Sequence, residues 1–441
     1  MNQGARRIPM ILLAAMLLLA VIPVYGADNL PYVAEAAAEK IGDPTEKEAD
    51  KGYFAYAWQR LTVYSDDERA WWGVATPQLP RNFFSIDLTF ENRKFIERFD
   101  DDGEIGPFLA PVLVDDPRSG KPFLAFAPKV HGELFGTFAT ASFGILDRLE
   151  ARVATSFWES DLMLTVELAP GTSGDIGIRE RADLYELFEL FGRPRPVKRY
   201  RSSGPEMGDT TASVAYNYLR NDYISLAAEA GSVLPTGRVA DANQALRYGL
   251  GPQIDLGYGA FGPMIGHGLD VRGPGFFRHF IYSLEASYTY YLPSTRNAPR
   301  FVAQKLRPSD SYSGIAFPAA LFPDASDLSG TYDVTFGHTG EVTNRLTMDI
   351  FLFQAGFGFV YGIAQEPDIR SGHSEFKTML RALDAYPQTE QGRFFGTFGV
   401  RLSRLAIPVD LQFSWSETFF GRGIIRYTDQ VSGGFKVLVP F

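Results

Sequence analysis

The side chains that could do chemistry in this chain are few. Its five histidines are His131, His267, His279, His338 and His373, and it has no cysteine. No two histidines stand four apart, the spacing that would put both imidazoles on one helix face for zinc. The lack of Cys removes thiolate catalysis, disulfides and Cys-ligated metal together. The acidic run Phe99 to Glu104 lacks the ligand spacing of a calcium loop and reads as a solvated turn. Pro235 to Gly237 and Gly266 to Leu269 are turn chemistry, and neither is a phosphate loop leading into a helix. His279 and Ser283 could pair a base with a hydroxyl, as an outer-membrane lipid hydrolase requires. Both, however, share a strand face with Glu285, the face turned away from lipid, so a hydrogen-bond network is the better reading. Neither an enzyme nor any cofactor or metal is expected.

The remaining polar side chains alternate with apolar ones, and alternation belongs to extended strands. Phe280, Tyr282, Leu284, Ala286, Tyr288 and Tyr290 oppose Ser283, Glu285, Ser287 and Thr289. Similar runs are Leu149 to Phe157, Leu162 to Leu168, Val214 to Tyr218, Ile224 to Ala228, Leu346 to Leu352 and Val409 to Trp415. A soluble sandwich would bury the apolar face, whereas a membrane barrel turns it to lipid and keeps the polar face inside. Long strands, aromatics near strand ends, and connections that alternate short and long favour the membrane barrel.

Short connections are expected at Ile145 to Asp147, Ala169 to Gly174, Arg220 to Asp222, Gly337 to Asn344 and Ser403 to Ala406, with the longer Gly-rich Phe261 to Phe276 on the same side. Long ones are expected at Arg193 to Thr210, Pro293 to Gly330 and Gly362 to Gln391, with a very short one at Glu159-Ser160. The fold expected is all-β: an antiparallel up-and-down transmembrane barrel of 12–14 strands, with an N-terminal periplasmic or plug extension.

Residues 1–26 read as a signal peptide, with Arg6 and Arg7 before an apolar stretch from Met10 to Ile22 and cleavage near Gly26. Residues 27–120 form the N-terminal extension and 121–441 the barrel, with a first barrel strand expected from Phe123 to Ala127 or from Phe83 to Phe90. No second apolar run is long enough for a helical span. The last strand places Phe435, Val437, Val439 and Phe441 on one face, with Phe441 at the periplasmic rim. A terminal aromatic strand resembles the insertion signal of bacterial outer-membrane barrels. The localisation expected is therefore the outer membrane. The partners expected are its lipid and the barrel-insertion machinery, for a monomer. A net charge of −10 argues against nucleic acid.

Phe143-Gly-Ile-Leu-Asp-Arg-Leu-Glu150, Gly174-Asp-Ile-Gly-Ile178 and Ser225-Leu-Ala-Ala-Glu-Ala-Gly-Ser-Val-Leu-Pro-Thr-Gly237 follow one another in a characteristic order. Over roughly Gly132 to Gly259 the chain resembles outer-membrane barrel transporters linked to the degradation of phenol and other aromatic compounds. Ile178-Arg-Glu-Arg181 departs from the Lys-Tyr-Arg usual there. The resemblance implies a barrel that passes small molecules and names no solute.

The pore-lining candidates are Arg148, Glu150, Arg152, Glu167, Arg179, Arg181, Asp183, Glu229, Asp255, Glu285, Asp333, Asp349, Arg401 and Asp410. Such charges either brace the wall by pairing or set a field along a pore, and the excess of acids favours neutral or cationic solutes. Phe317, Leu321 and Phe322 are candidates for an apolar loop constriction. The function expected is passive admission of small molecules, hydrophobic and aromatic ones included. The alternatives are a sealed barrel with a structural or surface-binding role and the lipid hydrolase above.

Overall fold

The computed structural model describes residues 75–76, 79–108, 112–115, 122–168, 198–242, 244, 253–297, 331–371, 388–405 and 407–440. The signal peptide, Arg179, Arg181, Asp183, Phe317, Leu321, Phe322 and Phe441 lie outside these residues.

Twelve strands form the wall: β1 (Phe83–Phe99), β2 (Pro122–Leu146), β3 (Leu149–Leu168), β4 (Thr210–Arg220), β5 (Ile224–Leu234) and β6 (Gly262–Arg272). They continue with β7 (Phe280–Tyr291), β8 (Gly337–Ile350), β9 (Phe353–Ala364), β10 (Thr389–Arg401), β11 (Val409–Arg422) and β12 (Ile424–Pro440). Each pairs antiparallel with its neighbour in sequence, and β1 also pairs with β12 from Phe83 opposite Pro440 to Phe99 opposite Ile424, which closes the barrel. The first strand thus comes from the N-terminal region, and the chain's last strand is its partner. Closure leaves no unpaired strand edge on the ring, the condition for a sheet to sit in hydrocarbon.

At one end the connections are tight: Asp147-Arg148, Asn221 to Tyr223, Gly273 to His279, Phe351-Leu352 and Leu402 to Pro408. At the other end every connection is long except the single residue Gly423, which takes φ 62°, a conformation glycine adopts without steric cost. Three short strands, Ser294–Asn297, Thr331–Thr335 and Asp368–Arg370, form a separate small sheet in the connections that follow β7, precede β8 and follow β9.

Three of the expected connections are strand instead. Glu159-Ser160 lies inside the 20-residue β3, Gly262 to Arg272 is β6, and Gly337 to Asn344 is the first half of β8. Glycine on the inward face of β6 (Gly262, Gly266, Gly268) hides the alternation that marks a strand. The turn after β8 is Phe351-Leu352, with Phe351 at φ 54° held by Arg404, whose Nη1 donates to the Phe351 carbonyl. A left-handed Phe is strained, and such a turn ordinarily asks for Asn or Gly.

The outer surface explains the medium in which the barrel sits. Val153, Tyr216, Ile265, Phe357, Phe398, Leu411, Phe413 and Trp415 point away from the lumen and are exposed. So large an apolar band is stable only against lipid. Tyr–His pairs mark its two rims: Tyr218 and His267 share a 2.6 Å hydrogen bond near the tight-turn end, and Tyr288 bonds His338 near the other. Amphipathic rings of this kind suit a membrane interface.

Candidate functional site: the barrel lumen

The inward face carries charge at every level. Near the tight turns, Arg152 Nε pairs with Glu150 at 2.6 Å. Asp349, fully buried, accepts from Arg401 at 2.9 Å and Arg404 at 2.6 Å. Asp410 accepts from the Ser403 backbone at 3.0 Å. Higher up, Glu229, Glu285, Glu341 and Arg345 face inward from β5, β7 and β8, and the Arg345 guanidinium stacks over Phe395 at 5.0 Å.

Large inward rings lie over glycines of the neighbouring strand. A Cβ at Gly132 would sit 2.2 Å from Phe95, one at Gly136 2.6 Å from Trp158, and one at Gly358 2.5 Å from Phe395. Glycine at these places lets an aromatic lie flat on the wall and leaves the space beyond it open. Glu285 and Glu341 point inward yet are exposed, so the interior holds room for solvent at their level.

The segment before β1 lies against the inner wall near the tight-turn end. Asp270 on β6 accepts from the Ala75 and Thr76 backbone amides at 3.0 Å each, from the Thr76 hydroxyl at 2.5 Å and from Ser283 Oγ at 2.6 Å. Further along, the Leu79 amide donates to Glu150 at 3.2 Å, and Leu79 packs with Phe83 and Leu438. Gly268 and Gly144 permit the approach, since Cβ atoms there would meet the Ala75 and Pro80 carbonyl oxygens at 2.2 and 2.0 Å. The chain thus docks first on β6–β7 and then on β2–β3, as a strap inside the floor of the barrel.

Of the residues expected to line the pore, Glu150, Arg152, Glu229, Glu285, Asp349, Arg401 and Asp410 face inward. Arg148, Asp255 and Asp333 do not join them. Arg148 is exposed in the turn before β3, one residue short of the strand phase that turns Glu150 inward. Asp255 lies in the connection between β5 and β6, accepting from the Ala240 amide at 2.9 Å. Asp333 is exposed in the small sheet and accepts from Thr295 at 2.8 Å. The alternation around Asp333 belongs to a strand of the small sheet, and that around Asp255 to no strand. Glu167 occupies the end of β3 opposite Ala127, and its side chain is outside the described residues. His279 ends the 3₁₀ turn before β7, and the Ser283 hydroxyl is given to Asp270 instead.

The sequence reading missed Asp87, Glu91, Arg93, Asp270, Glu341, Arg345, Arg393 and Lys436 on the inner wall. Asp270 and Glu341 fall in the stretches taken for turns. Arg93 could have been found by extending the Phe84–Phe90 alternation beyond Phe90.

Fold and lumen together define a closed twelve-stranded transmembrane β-barrel with a charged interior. No family model and no curated protein matches the sequence. Among solved structures, an outer-membrane channel from Pseudomonas putida F1 is 10% identical with a TM-score of 0.49, over 83% of this chain and 98% of that one. The P. putida toluene transporter TodX is 8% identical with a TM-score of 0.33, over 83% of this chain and 93% of that one. A Pseudomonas aeruginosa FadL homologue is 10% identical with a TM-score of 0.31, over 82% and 91%.

Proposed function

We propose that this protein is an outer-membrane channel that passively admits small molecules, hydrophobic and aromatic ones included. The observation that carries the reading is the pair of inward, solvent-exposed carboxylates, Glu285 and Glu341, inside a closed barrel with an apolar outer wall. A barrel with a purely structural role has no use for an open, glycine-lined interior, because filling it with side chains would be more stable. Lipid surrounds the wall, and the β12 face of Phe435, Val437 and Val439 serves as the insertion signal of a monomer.

The strap favours the sealed alternative, since it lies in the lumen floor. Asp270 anchors it at β6–β7, so the two readings separate experimentally. Conductance is measured in planar bilayers for the whole protein, for Asp270→Ala and for a chain lacking residues 27–81, which spares β1. Small conductance in the whole protein and a several-fold rise in both variants are expected. Silence in all three, with correctly assembled barrels, would leave the sealed barrel standing.

A further inference from the structure

The tight turns share a composition that water does not explain. Turns in water are built mostly from Gly, Pro, Asn, Asp and Ser. Here each turn has a large apolar side chain standing open in it or at its edge: Leu146, Tyr223, Phe276 with Phe277, Phe351, and Leu405. Phe276, 75% exposed, is the most open of the large apolar residues described. Its ring centroid lies 6.0 Å from that of Phe277 and 6.3 Å from that of Phe280, so the β6–β7 turn ends in an apolar knob.

Arginines accompany these side chains around the ring. Arg148 and Arg278 are exposed beside Leu146 and Phe277. Arg220 borders the Tyr223 turn and donates to the Asp147 carbonyl at 3.5 Å. Arg404 joins the last two turns, donating to the Phe351 carbonyl and, at 2.6 Å, to Asp349. Against these stand two exposed acids, Asp147 and Asp222, while Asp349 is shared with Arg401. Positive charge is in excess here although the whole chain carries −10. The connection after β1 at the opposite end, Asp100 to Glu104, is acidic.

These turns end strands whose outward faces lie in lipid, so the ring borders the headgroup layer. An apolar side chain there lays its body against acyl chains, and an arginine beside it reaches a phosphate. The Arg148 side chain has no bonding partner among the described residues and is available for that contact. A zwitterionic headgroup brings its own cation to the phosphate, whereas an anionic one leaves its charge to the arginines. We infer that the tight-turn end is a docking surface for anionic phospholipid, with apolar tips in the acyl layer and arginines on the phosphates. The inference holds whether the lumen conducts or is sealed.

The test uses the whole protein in phosphatidylcholine vesicles at low ionic strength, with spin-labelled lipid reporting the fraction immobilised at the barrel. Phosphatidylglycerol is expected to be favoured over phosphatidylcholine about threefold, a roughly fivefold gain at each arginine being diluted over both leaflets. Replacing both exposed arginines, Arg148→Gln with Arg278→Gln, is expected to halve that preference roughly. Arg422→Gln, exposed at the opposite end, is expected to leave it unchanged. Equal association of the two lipids in the unmodified protein overturns the inference and leaves the ring to a protein partner. An unchanged preference in the double variant, with assembly checked by gel mobility, also overturns it, as does a preference that Arg422→Gln removes. If the double variant does not assemble, Arg148→Gln alone carries the comparison.

Discussion

Two parts of the same sheet obey opposite polarity rules. Along the membrane-sized strands β4–β12, exposed Phe398, Leu411 and Trp415 point outward, while Asp349, Arg401 and Asp410 point in. The far halves of β1, β2 and β3 reverse this. Leu134, Leu162, Leu164 and Phe95 are buried on the inner side, and Lys94, Glu133 and Met163 are exposed on the outer side. Length accounts for the change. A membrane strand needs about 9–11 residues, whereas β2 has 25 and β3 has 20, so their ends stand in water and must bury their apolar face inward. The strand does not break at the crossing. The solvent changes, and the sequence follows the solvent.

The largest effect that sharpens the contrast belongs to the polar interior. Asp349→Ala leaves Arg401, 1% exposed, without its buried partner. Breaking a buried pair from one side costs about 3–5 kcal/mol. Urea titration of the barrel in lipid vesicles, followed by gel mobility, is expected to show that loss. A change near zero would mean that water reaches Arg401 and that the lumen is wet down to its floor.

The crossing also explains what was and was not legible in the sequence. The barrel, its closing strand and about half of its charged lining follow from alternation alone, because in β4–β12 apolar means outward. Leu162 and Leu164 broke that rule. Giving them the outward face required a turn at Glu159-Ser160, and the extra turn inflated the strand number. In fact β3 keeps its phase through Trp158, Ser160, Leu162 and Leu164, all buried. Asp270 was lost for a different reason. On the inner face of β6 it follows Gly262, Gly266 and Gly268, which erase the polar–apolar signal, and Gly268 makes room for the strap. No local pattern could have joined Thr76 to Asp270, which are 194 residues apart.

A matched pair of arginines tests the solvent boundary directly. Phe398 and Met163 both point outward with comparable exposure, 48% and 41%. Phe398→Arg places a charge in lipid and is expected to cost about 2–4 kcal/mol. Met163→Arg places it in water and is expected to stay within about 0.5 kcal/mol. Equal costs would erase the difference between the two regions.

The smallest effect is expected at the water-side tip of β3. Arg199 grips Asp161 through two hydrogen bonds, at 2.8 and 2.5 Å, which hold the Asp161 carboxyl below the usual carboxylate range. A lowered pKa stabilises the fold above the ordinary carboxylate pKa, and the contribution fades as pH falls through the lowered value. Both side chains are solvated, however, and screening leaves an exposed ion pair little net strength. Arg199→Gln is therefore expected to leave the unfolding midpoint unchanged at pH 7 and at pH 4 alike. A drop at pH 7 that disappears in acid would show the pair shielded from water. The membrane boundary on β3 would then have to move outward past Asp161, and Leu162 would have to be buried by something other than an aqueous extension.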